Sequence, residues 1–202
     1  MPPDTTKIPG WFSPLETDAI MRAAWTIGRT GTLIEIGTGA GRSTAMLAER
    51  LPSWVIHTID SYPAGYAETV PDPNDPALIT DPRKYAEKNL ANYGNVVRHI
   101  SDAPTAVARW DIYKLVDILF VDGRHETAQV MIDINSWFGF LHDRSVVFLH
   151  DAQNGNPYYE VVMLGAVNSK LFTSTQKWRQ PPSLAIPRAG TAERWRERPR
   201  NP

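Results

Sequence analysis

Apolar and polar positions alternate along the first 150 residues in two rhythms, one helical and one extended. Between 11 and 28 the apolar positions Trp11, Phe12, Leu15, Ala19, Ile20, Ala23, Ala24 and Ile27 keep a helical spacing with one buried face. Ser13-Pro14 with Glu16 supplies its cap and first turn. A short β-type run, Thr32 to Ile36, is followed by a cluster of glycines and by a helical stretch from Ser43 to Arg50 that stops at Pro52. Trp54 to Asp60 reads as a second strand that ends in an acid. Strand, tight loop, helix and strand make a β-α-β unit, which implies parallel strands and a right-handed crossover.

The alternation resumes after an interruption. Residues 62–81 hold Pro63, Pro71, Pro73 and Pro76, too many prolines for a regular helix or a central strand, and read as an insertion or lid. Beyond it the pattern predicts a helix over 82–93, a strand over 96–100, a helix over 104–110, a strand over 116–121, a helix over 127–141 and a strand over 145–149. The expected fold is α/β: a single domain with a doubly wound, mostly parallel, Rossmann-like sheet spanning 1–175. A further helix over 158–171 fits the spacing. Residues 176–202, rich in Arg and Pro and without periodicity, read as a basic, mobile tail.

Composition narrows the function classes. With 202 residues, 42% hydrophobic and 21% charged, the chain has enough apolar material for one core. A formal net charge of −1 supplies no global attraction to nucleic acid or an anionic membrane, so neither partner is expected. The absence of cysteine excludes disulfides, thiolate metal sites and cysteine nucleophiles. No basic-then-apolar leader and no apolar run near 18 residues is present, which predicts a cytoplasmic protein.

The candidate chemistry lies at strand ends. A glycine-rich turn after the first strand lets the backbone approach a nucleotide closely. In Glu35-Ile36-Gly37-Thr38-Gly39-Ala40-Gly41-Arg42 the glycines fall at 37, 39 and 41, and Arg42 takes the place that a dinucleotide site gives to glycine, so a dehydrogenase is disfavoured. Two later strands end in Asp122-Gly123-Arg124-His125 and His150-Asp151. Ligands of an open α/β sheet bind beyond these carboxyl ends, so Asp122, His125, His150 and Asp151 are expected to converge. Carboxylates with an imidazole suit Mg²⁺ or Mn²⁺, and His125 is a candidate base because imidazole titrates near working pH.

The spacing E-x-G-x-G-x-G resembles motif I of the class I S-adenosylmethionine-dependent methyltransferases. That resemblance implies cofactor contacts from Glu35, Gly37, Thr38, Gly39 and Ser43, a ribose carboxylate at Asp60 with Ser61 beside it, an adenine contact at Asp102-Ala103, and Asp122 near the methyl group. The later segments resemble the metal-dependent sugar O-methyltransferases of the macrocin and mycinamicin type and the cephalosporin-hydroxylase-like proteins, over roughly residues 30–152. It implies metal ligation by Asp122 and Asp151 and a base at His125. His150 stands where those proteins carry a carboxylate; as a third ligand it would favour Mn²⁺ or a transition metal over Mg²⁺.

The implied activity is methyl transfer from S-adenosylmethionine to a hydroxyl of a sugar or saccharide, a mannoside among the acceptors. A catechol or phenolic acceptor and a non-catalytic cofactor-binding protein are the alternatives. The acceptor is thus a small molecule or oligosaccharide, and homo-oligomerisation is left open. Tyr62, Tyr66, Tyr158 and Tyr159 offer flat surfaces to a sugar ring and Asn154 and Asn156 offer hydrogen bonds, whereas Trp137, at helical spacing in an apolar stretch, is expected in the core.

Overall fold

The computed structural model describes residues 4–65, 67–69 and 78–150, and the backbone of two short strands at 176–177 and 184–187. Five parallel strands form the centre: β1 (Thr32–Ile36), β2 (Val55–Asp60), β5 (Val96–Ile100), β6 (Val116–Val121) and β7 (Leu141–Leu149). Two more, β8 (Gln176–Lys177) and β9 (Leu184–Pro187), extend the sheet. The order is β5-β2-β1-β6-β7-β9-β8, with β9 antiparallel to β7 and β8 antiparallel to β9. A separate hairpin pairs β3 (Glu68–Thr69) with β4 (Leu78–Ile79).

The central strands read as nearly continuous apolar runs because both faces of the sheet are covered. On one face α1 (Pro14–Ile27) and α2 (Arg42–Arg50) pack Phe12, Ile20, Ala24 and Leu47 against Leu33, Ile56, Ile118, Phe120 and Phe148. On the other, α4 (Ala103–Val107) and α5 (Thr127–Phe138) close over Ile34, Ile36, Leu119, Val121 and Val147. Trp137 is fully buried in this second layer, with Trp110 5.0 Å away edge-on. α3 (Pro82–Leu90) joins a smaller cluster with Ile8, Ala45 and Ile79, so the 62–81 segment contributes Ile79 to the packing.

Helix ends are closed by specific groups. Ser13 and Glu16 form a capping box on α1, and Arg144 donates from Nη2 to the carbonyls of Thr26 and Ile27 at its other end. Around the end of α2 the Asn95 side-chain amide donates to the carbonyls of Ala48, Leu51 and Trp54 at 3.1–3.3 Å.

Some boundaries differ from the sequence pattern. α5 ends at Phe138 rather than 141, because the chain turns at Gly139-Phe140 and the Phe140 carbonyl accepts from Val116 N. β7 consequently begins at Leu141, with a pairing irregularity between Val116 and Ile118 where Ser145 Oγ donates to the Val116 carbonyl. Part of the segment read as a mobile tail instead adds β8 and β9 to the sheet; strands this short cannot register as a period. The helix expected over 158–171 lies outside the described residues. Among the described residues no helix is long and apolar enough to cross a membrane.

Replacing Asn95 by Ala leaves three carbonyls at the end of α2 without their donor. We expect a loss of about 2 kcal/mol, or roughly 4–8 °C in Tm by calorimetry. A variant that melts with the wild type would show that those carbonyls find other donors.

Candidate functional site

The site is built where β1 and β6 end side by side. Asp122 N donates to the Ile36 carbonyl at 2.7 Å, and Gly37 N donates to the Ile59 carbonyl at 2.8 Å, so three strand ends are tied together. Gly37 has φ +99°, and a Cβ there would stand 2.1 Å from the Asp122 carbonyl oxygen, so only glycine fits. The chain then turns through Gly39 and Gly41, both at positive φ, into α2, whose first turn has no side-chain cap.

Asp60, at the end of β2, organises this turn. Its Oδ2 accepts from Thr38 N and Gly39 N at 3.1 Å each, and its Oδ1 accepts from Tyr62 N at 2.8 Å. Burial raises the Asp60 carboxyl, against the lowering effect of these three amides. Tyr62 donates its hydroxyl to the Gly39 carbonyl at 3.1 Å, so it braces the turn, and it is not among the residues that line the cavity. Tyr66, Tyr158, Tyr159, Asn154 and Asn156 lie outside the described residues.

A cavity of about 750 Å³ opens over these ends. Its wall contains Gly37, Thr38, Gly39, Ser43, Asp60, Ser61, Asp102, Ala103, Asp122, His125 and His150, so the structure brings together nearly all the residues singled out in the sequence. Glu35 is the exception. It stands behind the turn, fully buried, accepting a hydrogen bond from the Thr44 hydroxyl, with Ser43 and Thr58 close by. Burial pushes its carboxyl up to about 7 despite those hydroxyls. Its place is in the support of the loop, because the alternation of β1 turns it toward α2. Asp151 lies outside the described residues.

On the cavity wall Asp102 caps α4, accepting from Thr105 N at 2.8 Å. Nearby is an acid that the sequence pattern did not single out. Asp133 on α5 is 2% exposed, lines the cavity, and accepts from the Gln129 amide at 2.9 Å. Burial raises its carboxyl to about 6, and the charge of Asp102 adds to the shift. An Asp four residues after a Gln on a helix is the only mark it leaves in the sequence.

On the wall formed by the Asp122 loop, ligand atoms of Asp122, His125 and His150 lie within 4.8 Å of one another, a grouping able to hold a metal ion. His150 is buried between two carboxylates, with Nε2 2.8 Å from Glu16 Oε1 and Nδ1 2.9 Å from Asp122 Oδ1. A ring lying this close to both carboxylates can hold Asp122 in place while remaining part of the grouping that could bind a metal ion. Burial raises the Glu16 carboxyl, but the bonds and charge of His150 together with Ser13 outweigh it and hold the group below the usual carboxylate range.

The N-terminal segment completes the wall. Pro9, Gly10, Trp11 and Phe12 line the cavity, and the Trp11 ring is 62% exposed. Arg42 pins the segment, donating from Nε to the Phe12 carbonyl at 2.8 Å and from Nη1 to those of Ile8 and Thr6 at 2.7 and 3.3 Å.

A family profile described as a methyltransferase domain matches residues 34–152, and the chain belongs to that family. No curated protein matches the chain in sequence. Among solved structures it is similar to the TDP-rhamnose 3'-O-methyltransferase of calicheamicin biosynthesis, at 16% identity and a TM-score of 0.62 over 88% of this chain and 79% of that one. It is also similar to the O-methyltransferase TomG from Streptomyces achromogenes, involved in tomaymycin synthesis and solved with S-adenosylmethionine, at 15% identity and a TM-score of 0.61 over 88% and 82%. The fibrillarin pre-rRNA processing protein of Methanococcus jannaschii aligns at 14% identity with a TM-score of 0.57 over 87% and 76%. The fold is therefore the Rossmann-like one of the S-adenosylmethionine-dependent methyltransferases, and so distant a likeness leaves the acceptor to be argued from the site.

The raised Glu35 carboxyl makes stability depend on pH. An acid whose folded pKa, about 7, exceeds its ordinary value of 4.5 holds a proton in the native state that the unfolded chain releases. Its contribution is complete below 4.5 and is lost as pH rises through about 7. Glu35→Gln should therefore lose less stability than the wild type between pH 5 and pH 8 in urea titrations; parallel pH profiles would show Glu35 to be ionised throughout.

Proposed function

We propose that the protein transfers the methyl group of S-adenosylmethionine to a hydroxyl oxygen of a sugar or saccharide, assisted by a divalent cation. The observation that carries this reading is one cavity walled both by Asp60 with the glycine turn and by Asp122 with His125. The cofactor carries an electrophilic methyl on its sulfonium. Thr38, Gly39, Ser43, Asp60, Ser61, Asp102 and Ala103 would hold its nucleoside and methionine portions. Although Asp60 already accepts three amides, the two oxygens of a carboxylate retain acceptor capacity for a ribose hydroxyl.

His125 removes the acceptor's proton as the oxygen bonds to the methyl carbon and the carbon–sulfur bond breaks; the products are a methyl ether, S-adenosylhomocysteine and a proton on the imidazole. Asp122 faces the same space, and with Asp151 it would hold the cation, which supplies Lewis acidity to the hydroxyl when bound. Trp11 gives the cavity an exposed flat ring against which a sugar can pack. The same ring suits a catechol or phenol, which is the second reading.

Calorimetry should show S-adenosylmethionine binding, weakened about 10–100-fold in Asp60→Asn through loss of a charge-assisted bond. Turnover to S-adenosylhomocysteine with a methyl mannoside or a catechol should require Mg²⁺ or Mn²⁺ and stop with EDTA. His125→Ala should lower kcat by about 10²–10⁴-fold with cofactor Kd unchanged. Failure to bind S-adenosylmethionine, or binding of NADH in its place, would overturn the reading; cofactor binding without turnover on any acceptor would leave only a cofactor-binding protein.

A further inference from the structure

Glu16 belongs by sequence to a helix cap, yet its position serves a second group. Its Oε2 accepts from Ser13 N at 2.8 Å, which closes the capping box. That task occupies one oxygen, and a Gln does it equally well. The other oxygen, Oε1, lies 2.8 Å from His150 Nε2, while His150 Nδ1 lies 2.9 Å from Asp122 Oδ1. Glu16 and His150 are 2% and 6% exposed, and the imidazole packs against the neighbouring rings of Phe12 and Phe120 at 6.3 and 6.1 Å. A buried carboxylate is costly unless a donor compensates it, so the two acids and the imidazole between them depend on one another.

We propose that Glu16 is a positioning residue of the active site: acting through His150, it fixes Asp122 so that one carboxylate oxygen is committed to the imidazole and the other faces the acceptor. What Asp122 then does rests on the methyl-transfer reading above. Glu16 presents a charge to Nε2 and holds the ring against Asp122, which keeps His150 from turning into the cavity. The start of α1, 106 residues before Asp122 in the chain, thereby becomes part of the site. A cap role alone explains neither the carboxylate where an amide would serve nor the burial of its second oxygen against an imidazole.

The test uses the full chain with Ser13→Ala, Glu16→Gln, His150→Gln and the Glu16→Gln/His150→Gln pair. Ser13→Ala weakens the cap alone and should lower Tm while leaving kcat within about twofold. Glu16→Gln should lower kcat by about 10–100-fold with cofactor Kd unchanged and Tm no lower than that of Ser13→Ala. In the His150→Gln background the same substitution should change kcat less than about twofold, because its effect passes through that ring. Ring-nitrogen NMR of histidine-labelled protein reads the contact without turnover: Glu16→Gln should shift the His150 Nε2 signal away from its wild-type position, and Ser13→Ala should not. Unchanged His150 signals, an unchanged kcat in Glu16→Gln, or losses that multiply fully in the double variant would each overturn the proposal. Wild-type protein that turns over no acceptor but shows the Nε2 shift would sink the methyl-transfer reading and leave the Glu16–His150 contact standing.

Discussion

The rest of the site depends on one backbone contact, the approach of Gly37 to the Asp122 carbonyl. β1 and β6 are neighbours in the sheet, but the chain leaves β1 toward β2 on one side and reaches β6 only after visiting β5 at the far edge. This is the switch point of the sheet, where connections diverge and a crevice opens beyond the strand ends. At Gly37 a Cβ would stand 2.1 Å from the Asp122 oxygen, so the glycine turn and the Asp122 loop touch through main chain alone. Side chains of both loops are consequently free to face the cavity. The same contact sets the glycine turn directly beside the Asp122 loop, since one begins at Gly37 and the other at Asp122.

A roof is then needed over a crevice that the sheet leaves open. Arg42, the first residue of α2, supplies it by holding three carbonyls of the N-terminal segment. Arginine suits this work because its guanidinium presents several donors in a fixed fork. Glu16 anchors the same segment from its other side through His150. The N-terminal residues are thus fastened at two points, once to the glycine-turn helix and once to the acid at the end of β6. Trp11 lies between the two anchors in sequence, and its exposed ring is aimed by a backbone that the anchors immobilise.

How far the sequence displays this depends on the range of the interaction. The five central strands are legible because burial on both faces leaves apolar runs such as Val116 to Val121, and the loop residues are legible because glycines and acids cluster where those runs stop. Gly37, Asp60, Asp102, Asp122 and His125 are found this way, and all line the cavity. Glu35 is buried and does not line the cavity, because the period-2 alternation of β1 places it beneath the turn, which the motif alone does not state. His150 reads in sequence as a ligand and nothing there shows that it also lies against Glu16, which is 134 residues away and carries a complete local explanation as a cap. Asp133 is hidden similarly, being one polar residue on an otherwise half-buried helix. Local pattern finds what is set by neighbours along the chain, and it cannot find contacts that exist only once the layers have closed.

The charge around the cavity shows how little the net charge of −1 says about the site. Asp60, Asp102, Asp122, Glu126 and Asp133 line it, against Arg42 and Arg124. Arg42 is already committed to main-chain carbonyls, with burial lowering its pKa, and Arg124 is exposed. Such a wall disfavours a pyrophosphate, which would bring two negative charges beside five carboxylates with Arg124 the one lining arginine, among the described residues, not held by main-chain carbonyls. It suits a ligand that carries a sulfonium and an ammonium, and it suits a divalent cation. Glycine spacing and electrostatics therefore reach the same choice of cofactor by independent routes: the first through the space that Arg42 takes from a dinucleotide turn, the second through the carboxylates that face whatever the turn holds.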